Sequence, residues 1–330
     1  MAILVLGGAG YIGSHLVREL ISAGRDVVVA DNLATGFQQA VHPKARFYRT
    51  DIRDRAGLDH LFQREQIEGV IHFAAYSQVG ESMQNPLKYY NNNLGGTITL
   101  LESMIAHDVK RIVFSSTAAV YGIPDRCPIP ESDRTEPINP YGETKLAMEK
   151  LMRWADSSNQ LKYVALRYFN AAGADLSGEI GEAHDPETHL IPLILQVSNG
   201  QREKILIFGS NYPTRDGTCV RDYVHVTDLA QGHILALDYL MNGGESDVFN
   251  LGNGVGFTVK EIIDIARKIT GHPIPAEIAP KRDGDPAELV ASSEKARTVL
   301  GWKPKLCDIE TIVSSAWKWH QSHPDGYGLK

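Results

Sequence analysis

Short apolar runs separated by amphipathic stretches mark the first half of the chain. Ile3-Leu-Val-Leu6 and Asp26-Val-Val-Val-Ala30 are near-continuous runs, as a strand needs when both its faces are buried. Such runs predict strands at 2–6, 26–30, 45–49, 69–74, 111–116 and 162–168. Between them the apolar positions recur at helical spacing, predicting helices near 12–23, 54–65, 86–107 and 141–157. Strand and helix alternating in this order build an α/β fold, a Rossmann-like doubly wound parallel sheet with helices on both faces. Binding loops in such sheets lie at the carboxyl ends of the strands. Asp51-Ile52, Phe73-Ala74-Ala75 and Ser115-Ser116-Thr117 all fall at such ends, so that edge is the expected active site.

After about residue 170 the texture changes. Loops lengthen and become rich in glycine, proline and charge, as in Gly209–Gly217 and Ala279–Pro286. Helical stretches remain near 188–199, 227–241, 258–270, 292–299 and 308–322, with strands at 205–208 and 247–251. Residues 1–170 read as a nucleotide-binding domain and 171–330 as a smaller, mixed α/β substrate-binding region, some of whose segments return to the first domain. There are no internal repeats and no low-complexity segments.

Charge narrows the partners. A formal net charge of −7 over 330 residues argues against nucleic acid and anionic membranes. A phosphate-bearing ligand must then be held by local arginines and helix ends. Cys127, Cys219 and Cys307 have no metal-ligand spacing and read as reduced thiols of a cytoplasmic protein. No apolar run approaches the roughly 20 residues that span a bilayer, and the first strand begins too early to leave room for a signal peptide. The twelve histidines show no metal pattern, so no metal is expected.

Two patterns carry chemistry. The first is Gly7-Gly-Ala-Gly10-Tyr-Ile-Gly13 between a strand and a helix. Glycines at 7, 10 and 13 let the chain turn tightly and bring backbone N–H groups and a helix N-terminus to a pyrophosphate. The second strand ends at Asp31, where a carboxylate would meet the adenosine ribose hydroxyls and repel a 2′-phosphate, favouring NAD over NADP. The second pattern is Tyr141-Gly-Glu-Thr-Lys145. Four residues apart on a helix, the two side chains share a face. A phenol with a pKa of about 10 is a poor base at neutral pH, and an ammonium beside it should pull that value down.

With these residues assembled, the chain resembles the extended short-chain dehydrogenase/reductase superfamily and, more narrowly, its UDP-glucose (UDP-galactose) 4-epimerase family. The likeness runs end to end. Besides the glycine turn it includes Asp31-Asn-Leu33, Val70-Ile-His-Phe-Ala-Ala75, Val79-Gly-Glu-Ser82, Phe114-Ser-Ser-Thr-Ala-Ala-Val-Tyr-Gly122 and Pro140-Tyr-Gly-Glu-Thr-Lys145. Leu166-Arg-Tyr-Phe-Asn170, Asp216–Leu229, Phe249-Asn-Leu-Gly252 and Gly284-Asp-Pro286 continue it. The resemblance implies that Tyr141 is the acid/base at the sugar 4-hydroxyl, that Lys145 holds the nicotinamide ribose and lowers the tyrosine pKa, and that Thr117 bridges the tyrosine and the 4-oxygen. It implies NAD contacts from Gly7, Gly10, Tyr11, Ile12, Gly13, Asp31, Asn32, Asp51, Ile52, Phe73, Ala74, Ala75, Asn92, Ser115, Tyr141, Lys145 and Tyr168. Nucleotide-sugar contacts are implied for Thr117, Asn170, His189, Leu190, Phe208, Arg221, Arg282, Asp285 and Leu289. The two arginines suit a pyrophosphate, whose oxygens a planar guanidinium binds in pairs. The implied reaction oxidises C4 of a UDP-hexose, turns the 4-keto sugar and reduces its other face, regenerating NAD. A homodimer built on helices 86–107 and 141–157 is implied as well.

Several positions depart from the family pattern. Thr117 is followed by Ala118-Ala119, where related dehydratases place acids that eliminate water, so dehydration is disfavoured. His189 stands where many members have a phosphate-contacting asparagine, and Ser77 replaces a lysine near the cofactor phosphates. Leu289 occupies the place where a large tyrosine excludes N-acetyl sugars. Either the smaller leucine admits UDP-N-acetylhexosamines, or it only packs the pocket wall. UDP-uronate and UDP-N-acetylhexosamine 4-epimerases are alternative readings of the same scaffold. A non-catalytic NAD-binding sensor would be expected to have lost Thr117, Tyr141, Lys145, Arg221 or Arg282, and all five are present.

Overall fold

In a computed structural model, residues 1–282 and 284–328 are described, so Asp283 of the Ala279–Pro286 loop lies outside the described residues. The first half supplies β1 (Ala2–Leu6), α1 (Tyr11–Ser22), β2 (Val27–Asp31), β3 (Arg46–Arg49), α2 (Arg55–Arg64), β4 (Ile67–His72) and α3 (Val79–Gln84). It continues with α4 (Pro86–Tyr89), α5 (Gly96–Ala106), β5 (Arg111–Thr117), α6 (Pro140–Asn159) and β6 (Lys162–Tyr168). Then follow β7 (Asn170–Ala172), α7 (Leu190–Ser198), β8 (Ile205–Phe208), β9 (Val220–His225), α8 (Val226–Met241) and β10 (Asp247–Leu251). The last are β11 (Gly256–Thr258), α9 (Val259–Thr270), β12 (Ala276–Ala279), β13 (Glu288–Leu289) and α10 (Ile309–Ser322).

Seven strands form one parallel sheet in the order β10-β6-β5-β4-β1-β2-β3. Successive side chains of a strand point to opposite faces, and β1 shows the consequence. Ile3 and Val5 join a core with Leu16, Val17 and Leu20 of α1 and Leu229 and Leu237 of α8. Leu4 and Leu6 join the opposite core with Leu58 and Leu61 of α2, Leu100 and Met104 of α5, and Met148 and Met152 of α6. Burial on both faces explains why the strands read as continuous apolar runs. The doubly wound α/β class expected from the sequence is the class observed.

The second half builds two smaller sheets. β9 is flanked by β11 and β13 and also pairs with β7, while β8 pairs with β12. Ile191, Ile194, Ile207, Ile262, Ile312 and Trp317 fill a separate core beneath them. β10 leaves this region and pairs in parallel with β6 at the edge of the main sheet. Strands β7, β9, β11, β12 and β13 were not foreseen. Each is short or polar, and β9 contains the buried Asp222, which accepts from the backbone N–H groups of Asn253, Gly254 and Ala291 at 2.9, 3.0 and 3.1 Å.

Two expected helices differ. The stretch 86–107 is interrupted by a wide, π-helical turn at Tyr90–Gly95 between α4 and α5. Asn92 and Asn93 face inward there rather than to solvent. Near 292–299 the expected helix is short, beginning at residue 294 and widening to a π-helical turn over Ala296–Leu300, ended by Gly301 at φ 68°. Trp302 and Trp319 are buried packing residues, each with its indole N–H donated to a backbone carbonyl, of Asp228 and Glu182.

Candidate active site

A cavity of about 1000 Å³ lies along the carboxyl ends of β1, β2, β4, β5 and β6 and reaches across to β8, β9 and β13. Every residue picked out from the sequence as catalytic, cofactor-binding or substrate-binding lines it except Asp51. The Asp51 carboxylate is turned to its neighbours, accepting from Arg53 Nε and Nη2 at 2.8 Å each and from Asn32 Nδ2 at 2.8 Å. These bonds, Arg53 foremost, hold its pKa well below the usual carboxylate range.

The cofactor end begins at the glycine turn. Gly7 has φ 78°, and a Cβ there would lie 2.7 Å from the Ala74 backbone nitrogen. A Cβ on Gly13 would lie 2.2 Å from the Gly7 carbonyl oxygen. The turn therefore packs backbone against backbone, leaving α1 pointing its N-terminus into the cavity. At the end of β2 the Asp31 carboxylate accepts from the backbone N–H groups of Ala9 at 3.0 Å and Leu33 at 2.8 Å. It is thus fixed beside the turn, where it can meet a ribose diol. This cradle and its acid fit a dinucleotide. The Tyr11 hydroxyl donates to the Gly173 carbonyl at 2.6 Å, tying α1 to the second half of the chain.

The chemistry sits on β5 and α6. Asn139 caps α6 by accepting from Gly142 N–H at 2.8 Å, and Pro140 supplies the first helical residue. Tyr141 therefore stands in the first turn, with Lys145 one turn on. Lys145 Nζ donates to the Ser115 carbonyl at 2.8 Å and lies 5.9 Å from the centre of the Tyr141 ring. Burial pushes the Tyr141 phenol up to about 12, with the Thr117 hydroxyl opposing it. Burial also pulls Lys145 down to about 7, against the field of Glu149. The expected lowering of the tyrosine by the lysine is therefore not what the protein alone shows. Both charged forms lose solvation on burial.

Beneath this pair lies a network the sequence reading missed. Glu149, a turn beyond Lys145, accepts from Ser116 Oγ at 2.5 Å and from Arg167 Nε and Nη2 at 2.9 and 2.6 Å. Arg167 Nη1 donates to the Tyr121 hydroxyl at 3.1 Å, which donates to Asn250 at 2.7 Å. Repetition of polar residues at 141, 145 and 149 was the available signal. Asn93 was also missed. Its amide exchanges hydrogen bonds with the Tyr76 backbone at 2.9 and 3.0 Å and donates to Thr144 Oγ1 at 3.2 Å, while Asn92 Nδ2 donates to Asn93 at 3.0 Å. The wide turn thus pins the loop after β4 to α6. Ser115 and Tyr168 hydroxyls are in direct hydrogen-bond contact across β5 and β6.

Across the cavity, Arg221 on β9 is paired with Asp285, and the Arg282 guanidinium lies 3.8 Å over the Phe208 ring. Asn170, Leu190, Phe208 and Leu289 complete that wall. His189 also lines it, but its Nδ1 is held at 2.8 Å from Glu182 and 3.1 Å from Glu187. His184 faces the same two carboxylates. Burial alone would lower both imidazoles, yet the carboxylates reverse this and raise His184 to about 9 and His189 to about 10.

The sequence profile of the NAD dependent epimerase/dehydratase family matches residues 3–252. A UDP-glucose 4-epimerase of Lacticaseibacillus casei is 60% identical over 328 residues, 99% of each chain. A solved UDP-glucose 4-epimerase structure superposes with a TM-score of 0.98 at 56% identity over 100% of both chains. Another, from Bifidobacterium longum in complex with NAD+ and UDP, gives 0.94 at 40% identity over 99% of this chain and 100% of that one. The chain belongs to the NAD dependent epimerase/dehydratase family and, within it, to the UDP-glucose 4-epimerases.

Proposed function

We propose that the protein interconverts UDP-galactose and UDP-glucose by transient oxidation at C4, with NAD as resident cofactor. The observation that carries this is the placement of Tyr141, Thr117 and Lys145 on one cavity wall, between the glycine turn and the Arg221–Arg282 wall. Gly7, Gly10, Tyr11, Ile12, Gly13, Asp31, Asn32, Phe73, Ala74, Ala75 and Tyr168 would hold the dinucleotide. When bound, NAD supplies a reversible hydride acceptor at the sugar carbon. Tyr141 takes the 4-hydroxyl proton and later returns it to the opposite face, with Thr117 aligning the oxygen. Arg221 and Arg282 hold the diphosphate while the hexose turns, since only the nucleotide end is gripped by charge. Residues 1–170, joined by α8 and β10, serve as the NAD unit, and the remainder of the second half as the nucleotide-sugar unit.

The B. longum relative was solved with NAD+ and UDP, and a Campylobacter jejuni relative, 42% identical over 97% of this chain, is described as a UDP-Glc/GlcNAc 4-epimerase. Leu289 on β13 lines the cavity, and we read it as facing the hexose and admitting N-acetyl sugars. The protein is read as a cytoplasmic homodimer. No described helix is long and apolar enough to cross a membrane, and α3 to α6 with the turn at Tyr90–Gly95 expose Met83, Leu87, Tyr90, Ile98 and Trp154. The test is chromatography of products from UDP-galactose without added NAD. Conversion to a mixture with UDP-glucose is expected; no conversion with or without NAD would refute the reading. The same assay with UDP-N-acetylglucosamine should show turnover that Leu289→Tyr removes, and no wild-type turnover would refute that part.

A further inference from the structure

Between β7 and α7 the chain brings Glu182, His184, Glu187 and His189 together within eight consecutive residues on the cavity wall, and of these only His189 is among the nucleotide-sugar contacts expected from the sequence. His184 Nδ1 lies 3.3 Å from Glu182 Oε1 and 3.3 Å from Glu187 Oε2. His189 Nδ1 lies 2.8 Å from Glu182 Oε1 and 3.1 Å from Glu187 Oε1. One ligand atom from each of the four falls within 4.8 Å of all the others. A tetrahedral ion with bonds of about 2.0–2.2 Å keeps its ligand atoms roughly 3.3–3.6 Å apart. To receive one, the ion-pair contacts of 2.8–3.3 Å would have to open while the longest separations, up to 4.8 Å, close in.

Charge points the same way. The Glu182 and Glu187 side chains are only 6% and 4% exposed, so two carboxylate charges sit side by side with little water. In the metal-free chain two protonated imidazoles balance them; a dication would displace those two protons, take over the neutralisation and use four lone pairs at one point. Two nitrogen and two oxygen donors select zinc and its neighbours over magnesium or calcium, which take oxygen shells. The surroundings are rigid. Trp319 of α10 donates its indole N–H to the Glu182 carbonyl at 3.0 Å, and the Tyr11 ring of α1 stands edge-on to His184 at 6.2 Å between centres.

We propose that Glu182, His184, Glu187 and His189 bind one divalent ion of the zinc class. Four protein ligands fill a tetrahedral shell and leave no open position, so the ion is structural. It pins the segment that leads directly into Leu190 on the cavity wall and holds it against Tyr11. The proposal stands independently of the reaction assigned to the cavity.

The test uses untagged full-length protein, stripped with a chelator, dialysed and titrated with Co2+, then with Zn2+ in competition. One Co2+ per chain is expected, with the intense visible absorption of tetrahedral cobalt, displaced by one equivalent of Zn2+. Glu182→Gln and His184→Ala, each checked for a native circular-dichroism spectrum, should weaken binding by more than the ~10–100-fold that loss of an outer partner costs. Absence of the tetrahedral band in the wild type, or binding unchanged in both variants, would overturn the site. The cluster would then be a histidine–carboxylate ion-pair network only.

Discussion

At Tyr141 two demands conflict. The residue must be buried to face the sugar, and burial drives its pKa to about 12, away from the form that accepts a proton. Lys145 meets the same penalty from the other side, at about 7. A phenolate and an ammonium at this spacing stabilise each other, so the two titrate as a pair once either becomes charged. Lys145→Met should therefore move the rising limb of the kcat/KM–pH profile to higher pH and lower turnover at pH 7 by about 10²-fold or more. An unchanged profile would remove Lys145 from the account. The tyrosine and lysine were legible because their spacing is itself the signal. Glu149 and Arg167 were not, since their roles depend on a contact between α6 and β6. That buried pair matters, because removing one partner of such a pair costs about 3–5 kcal/mol.

At the scale of elements, the glycine turn is the clearest case of sequence dictating shape. Gly13 could carry a side chain only if the Gly7 carbonyl moved, because the two would stand 2.2 Å apart. Gly13→Ala should thus open the turn and yield protein with much less bound dinucleotide, measured by chromatography of the nucleotide released on denaturation. A full complement would contradict this part of the site. Regular elements of the main sheet were legible from their apolar runs. The wide turn at Tyr90–Gly95 was not, because Asn92 and Asn93 look like surface residues until α6 and the Tyr76 loop are placed against them. The same holds for β9, where the buried Asp222 breaks the apolar pattern and is accounted for only by three distant backbone donors.

The whole molecule binds its two halves through long-range partners: β10 on β6, Tyr11 on Gly173, and α8 on the main sheet. Such pairings leave no local trace. Packing around them buries His15, His72, His225 and His233, and burial brings their pKa values down to about 4, 3, 4 and 4. The unfolded chain takes up protons near pH 6.5 that the folded chain refuses. Stability from these groups is thus complete above pH 6.5 and lost as the pH falls toward 4, at roughly 1.4 kcal/mol per pH unit for each histidine. Urea midpoints should fall steadily from pH 7 to pH 5; a flat midpoint would contradict the neutral buried histidines. The central claim is that C4 is oxidised and reduced without losing an atom. Its most direct test is turnover of UDP-galactose labelled with deuterium at C4 and 18O in the 4-hydroxyl, in ordinary water, with mass analysis of the UDP-glucose formed. The account predicts that both labels stay in place; loss of either would mean that the configuration is inverted by another route.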